Sequence, residues 1–168
     1  MSLGRSRALL VLGVMGLIAI IAVVWTITRD SQDDSDKAGN KCVTAAMATK
    51  VPEPAEARVR VLNATDRAKL ATTVGDQLKA RGFTIVEVGN SKDVVTATAE
   101  VRYGPKAVGA GHLVRANIPG SQAVPLTEGD DVVTVIIGPG YSKLTPTGEV
   151  QNTLKNLGDP VKPKITCE

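Results

Sequence analysis

Aromatic side chains are nearly missing from this chain, which has one Trp, one Phe and two Tyr among its 168 residues. A core of packed rings is excluded, and Val, Ile, Leu and Ala must supply the buried surface. Histidine is scarcer still, since His112 is the only one, and there are two cysteines. That inventory is too short for a zinc site. An excess of charge is missing as well: the net charge is +3, and from Cys42 onward fifteen basic residues stand against thirteen acidic ones. A nucleic-acid reader would show a concentrated basic face, so nucleic acid is excluded as a partner. Neither a G-x-S-x-G elbow nor a phosphate-binding P-loop occurs, and Gly104, Gly109 and Gly111 do not follow dinucleotide spacing. We expect no cofactor, no metal and no enzymatic activity.

The long apolar run is present. Residues 8–27 carry no charge, and twenty such residues match the length of a helix crossing a bilayer. Arg5 and Arg7 precede the run, and Asp30, Asp33, Asp34 and Asp36 follow it. Basic residues stay on the cytoplasmic side, so residues 1–7 are expected inside and the remainder outside the cell membrane, as a single-pass protein. The competing reading is a cleaved signal peptide. Its apolar core would be shorter and would end in a small-x-small site, whereas Val23-Val24-Trp25-Thr26-Ile27 closes this run. Residues 28–41 are polar and acidic and read as a solvated tether, which continues through Pro52 and Pro54 as an extended lead-in to residue 57. Cys42 and Cys167 both fall outside the membrane in this topology. An oxidising compartment favours a structural disulfide between them, with free thiols or an intermolecular bond as the alternatives.

Periodicity divides the rest. Arg58-Val59-Arg60-Val61-Leu62 alternates and predicts a strand with one buried face. Asn63-Ala64-Thr65-Asp66 reads as a turn in which Thr65 or Asp66 caps a helix beginning near Ala68. That helix buries Leu70, Ala71, Val74 and Leu78 and stops at Gly82, with Arg81 near its carbonyl end. Phe83 to Val88 and Thr98 to Tyr103 are predicted strands, and Gly104-Pro105 opens a second helix that ends at Pro119-Gly120. Val124 lies in a short strand or an extended loop. The run Val132 to Ile137 is apolar but for Thr134, which predicts a central strand buried on both faces. The fold class is α+β: a single N-terminal transmembrane helix plus a β-α-β-β-α-β sandwich with two helices on one sheet, an order that also occurs in ferredoxin-like folds. The folded domain covers 58–141, and the tail 142–168 has a short amphipathic helix near Glu149 to Leu157.

The ordered set Val59-Arg60-Val61-Leu62-Asn63-Ala64-Thr65, Leu70-Ala71, Leu78-Lys79-Ala80-Arg81-Gly82-Phe83, Thr98 to Gly104 and Val132 to Gly138 resembles the LytR C-terminal domain family. One departure is visible: relatives often have Asn-Gly-Thr where this chain has Asn63-Ala64-Thr65, and a left-handed backbone there would be harder for Ala than for Gly. The resemblance implies a non-catalytic role in maintaining or assembling the actinobacterial envelope. It implies LytR–CpsA–Psr phosphotransferases or other envelope-assembly proteins as partners, and it supplies no catalytic residues.

Few residues offer themselves for binding. Tyr103 and Tyr141 follow predicted strands, and with Arg102 they could present a sugar platform; the plainer reading is that both rings cap the core edge with hydroxyls in water. Asn63 and Thr65 could hold a ligand at the first β–α turn. These five residues are the candidate contacts for a cell-wall glycan such as peptidoglycan or arabinogalactan. His112 falls opposite the Ala107, Val114 and Ile118 face of the second helix and is expected as an exposed surface residue. A regulatory anchor signalling inward is disfavoured, because only seven residues precede the span.

Overall fold

The structure is a computed structural model that describes residues 47–164. The expected span at 8–27, the tether at 28–41 and both cysteines lie outside the described residues. Among the described residues no helix is long and apolar enough to cross a membrane.

Strand β1 (Arg58–Asn63) alternates as its sequence requires: Val59, Val61 and Asn63 are buried, and Arg58, Arg60 and Leu62 face the other way. Helix α1 (Leu70–Ala80) lays Leu70, Ala71, Val74 and Leu78 on that buried face, and Gly82 ends the turn at φ 92°. Strands β2 (Thr84–Asn90) and β3 (Ala99–Tyr103) follow. A 3-10 turn at Pro105–Ala107 then leads into α2 (Val108–Asn117). Val124 belongs to a fifth strand, β4 (Gln122–Pro125), which precedes β5 (Val132–Ile137) and the short helix α3 (Val150–Asn156).

The sheet order is β2-β1-β5-β3-β4. β1 runs parallel to both β2 and β5, β3 runs antiparallel to β5, and β4 is parallel to β3. The element order expected from the sequence is present with β4 added, but the sheet is not ferredoxin-like. A parallel β1–α1–β2 unit sits at one edge, and β5 is inserted between β1 and β3. That central place explains the apolar run of β5, in which only Thr134 is partly exposed.

One apolar cluster joins the sheet to both helices. Val59, Val61, Val101, Val133 and Val135 lie beneath Leu70, Val74 and Leu78 of α1 and Leu113 and Val114 of α2. The opposite face is mixed, with Leu62, Val132 and Ile136 beside a set of ion-paired arginines. Arg58 bonds Asp131 at 2.8 Å, Arg60 bonds Glu87 at 2.6 Å, and Arg102 bonds both Asp93 and Glu100 at 2.7 Å. Such exposed pairs contribute about 0–1 kcal/mol each, so they orient side chains more than they hold the fold.

Both ends of the described chain meet at the β3–α2 junction. The Ala48 amide donates to the Pro105 carbonyl at 2.9 Å, and the Gly109 amide donates to Ala48 at 2.7 Å. From the other end α3 packs on α2, and the Tyr103 hydroxyl donates to the Val161 carbonyl at 2.8 Å.

Candidate functional site

The turn after β1 is organised by Asn63, which is buried and bonds to the residues that follow it. Its Oδ1 accepts from the Thr65 amide at 3.0 Å and the Thr65 hydroxyl at 2.8 Å, and its Nδ2 donates to the Arg67 carbonyl at 2.8 Å. Thr65 in turn accepts from the Arg67 amide at 3.1 Å. These bonds change two expectations. Neither Thr65 nor Asp66 caps α1; the N-cap is Lys69, in the left-handed conformation at φ 59°, and the helix begins at Leu70. Ala64 escapes the left-handed backbone, since Lys69 is the only non-glycine with positive φ among the described residues. The strained residue has moved five places along the turn, so Ala at 64 is tolerated.

This turn delivers Arg67 to Tyr141, whose carbonyl accepts from Arg67 Nη1 at 2.7 Å. Arg81, at the other end of α1, donates through Nη1 to Asn117 Oδ1 at 2.9 Å and to the Thr145 carbonyl at 2.7 Å. Between the two arginines, α1 and the chain after β5 enclose an open groove of about 550 Å3 that also presents Thr73, Gln77, Ser142 and Lys143. The Tyr141 ring is buried in the groove wall, and its hydroxyl makes a long 3.4 Å contact with Gln77 Oε1. Burial pushes the Tyr141 phenol pKa up, against the Arg81 and Arg67 charges, which pull it down.

The structure therefore brings Asn63, Thr65 and Tyr141 to one end of the sheet and separates Arg102 and Tyr103 from them. Arg102 lies on the open sheet face, where burial lowers its pKa less than Glu100 and Asp93 raise it. Tyr103 points to the opposite, helix-covered face and is 1% exposed. Neither tyrosine has its ring free for a sugar, and the Tyr103 hydroxyl is bonded to protein instead of standing in water. Sequence reasoning passed over Arg67, Gln77 and Lys143 and saw Arg81 only as a helix-end charge. The available signal was the cationic pair Arg67 and Arg81 at the two ends of one helix.

His112 is also placed differently from expectation. It is 3% exposed, because α3 and the chain after it cover the side of α2 that the sequence leaves polar. Its Nδ1 has no hydrogen-bond partner. Burial and the Arg115 charge push its pKa down, opposed by the Leu154 and Gly158 carbonyls and the Asp159 carboxylate. The unfolded ring titrates near its ordinary value of about 6.5 and takes up its proton first as the pH falls. The stability that neutral His112 confers is complete above that value and is lost as the pH drops through the lowered folded value. The melting temperature should fall between about pH 7.5 and pH 5.5, and His112→Leu should reduce that fall. An equal fall in the variant would place the titration elsewhere. Among the described residues no cluster of His, Cys, Asp or Glu could hold a metal ion.

Comparison with known proteins agrees with this architecture. Residues 56–141, from the lead-in turn through Tyr141, match the family model described as LytR cell envelope-related transcriptional attenuator. The fold is similar to the crystal structure of the soluble domain of a conserved hypothetical secreted protein from Mycobacterium marinum. That likeness has a TM-score of 0.56 and 23% identity, and it covers 72% of this chain and 86% of the other. No curated protein matches the chain.

Proposed function

The chain belongs to the LytR cell envelope-related transcriptional attenuator family, through its LytR C-terminal domain, and from that premise we propose a membrane-anchored, non-catalytic module that supports cell envelope integrity or assembly through protein partners. The observation that carries this reading is the extent of the family match, which runs through every strand from β1 to β5 and both helices packed on the sheet. The apolar run at 8–27 supplies the anchor. The basic residues before it set the orientation, with the domain outside the cell. The secreted character of the M. marinum protein supports the same side of the membrane. The layout of short basic N-terminus, span, acidic tether, domain and terminal cysteines is similar to that of the mycobacterial cell envelope integrity protein.

The partners proposed are envelope-assembly proteins, LytR–CpsA–Psr phosphotransferases among them. Crosslinking in intact membranes followed by purification of the full chain tests this. An envelope enzyme enriched over a control anchor supports the proposal, and a pull-down without any envelope enzyme rejects it. The second reading is a peptidoglycan- or arabinogalactan-binding module, which the open groove beside α1, lined by Thr73, Gln77 and Ser142, favours; sedimentation of the chain with purified wall, with and without arabinogalactan, separates the two. We further propose the Cys42–Cys167 disulfide. What supports it is that the chain segments at Ala48 and Val161, each six residues from its cysteine, meet the same β3–α2 junction.

A further inference from the structure

The groove between α1 and the chain after β5 sorts its charge differently from the open face of the sheet. On that face Arg58, Arg60 and Arg102 each bond a carboxylate. In the groove Arg67 and Arg81 bond only neutral oxygens, those of Tyr141, Asn117 and Thr145. Lys143 adds a third cation, and no carboxylate lines the groove. A guanidinium has five N–H donors in a fixed fork. One nitrogen of each groove arginine is tied to the protein, and the others have no partner among the described residues. The tie matters for binding, because a side chain already held in place loses less conformational freedom when a ligand arrives.

The neutral groups around these charges suit a polyhydroxy ligand. The Tyr141 hydroxyl lies where both arginine charges act on it, and its 3.4 Å contact with Gln77 is weak enough to be exchanged. Thr73 and Ser142 add hydroxyls on the two walls. The volume, about 550 Å3, falls in the range of small-molecule sites. A peptide strand would need an open sheet edge for its backbone, and this groove is walled by the side of a helix and a loop.

We propose that this groove binds the phosphate or carboxylate of an anionic sugar, with Arg67, Arg81 and Lys143 holding the charge and Tyr141 and Gln77 exchanging hydrogen bonds with sugar hydroxyls. This site stands apart from the protein-partner reading above, which is tested by crosslinking, so failure of one leaves the other in place.

The test is calorimetric titration of the full chain in detergent micelles with N-acetylglucosamine 1-phosphate, glucuronate and neutral N-acetylglucosamine, at about 0.15 M salt so that diffuse charge effects are screened. At least one anionic sugar should saturate a single site, and the neutral sugar should not. The better of the two anions tells a phosphate source from a carboxylate source. Arg67→Gln and Lys143→Gln should each weaken binding by about tenfold or more, the size expected for one charge-assisted contact. The melting temperature of Lys143→Gln should stay near that of the unaltered chain, whereas Arg67→Gln also loses its bond to the Tyr141 carbonyl and should melt somewhat lower. Arg81 is left intact, because it also holds the buried Asn117. Lack of binding by both anions, equal binding of the neutral sugar, unchanged affinity in both variants, or tighter binding of a hexaglutamate peptide would each overturn the assignment.

Discussion

Replacing Gly111 with valine should destabilise the domain by about 3 kcal/mol, and shortening Tyr103 to leucine in the same chain should recover part of that loss. A β-carbon at Gly111 would overlap the Tyr103 ring, which packs against α2 with 1% of its surface exposed. The ring cannot swing outward without breaking its hydroxyl bond to Val161, and it is surrounded by core residues on the sheet side. Valine also restricts its own rotamers within a helix, which adds to the steric cost. Tyr103→Leu alone should destabilise, because it removes buried ring atoms and the hydroxyl bond together. In the double variant the two changes touch the same space, so the losses should be less than additive. Denaturant unfolding of the four chains provides the double-mutant cycle. Additive losses would show that Tyr103 and Gly111 are not in contact and would return Tyr103 to the list of candidate ligand residues.

Reduction of the proposed Cys42–Cys167 disulfide should lower the unfolding free energy by about 5 kcal/mol, the chain-entropy value for a loop of this length. The bond would close the chain around the entire domain, so its main effect is to restrict the unfolded ensemble. It would also hold the lead-in and the tail on the β3–α2 junction, where Ala48 pairs with Pro105 and Gly109 and Val161 accepts from Tyr103. The intact mass of the oxidised chain should be two hydrogens below that of the reduced chain, and Cys42→Ser should show the reduced stability without added reductant. A mass corresponding to two free thiols, or equal stability with and without reductant, would reject the bond.

The strands and helices were legible because each buries one face, and alternation or a 3.6-residue period follows directly from that. β5 announced its central place by having no polar face. The sheet order was not legible, since β1 pairs with β5 across more than seventy residues and nothing local encodes that choice. β4, four residues long, is too short to show a period. His112 was misplaced for the same reason: its burial is decided by α3, an element whose only buried residue is Val150 and whose docking the sequence does not advertise. The groove escaped notice because its residues come from the first turn, both ends of α1 and the chain after β5. Asn63, flagged as a ligand contact, instead spends its bonds on the turn that holds Arg67.

Deletion with complementation measures the proposed envelope role most directly. Cells lacking the chain should become more sensitive to lysozyme and to detergent, and the full-length chain should restore resistance. A version truncated before β1, with the proposed anchor and tether retained, should fail to restore it. Unchanged sensitivity on deletion, or full restoration by the anchor without the domain, would contradict the account.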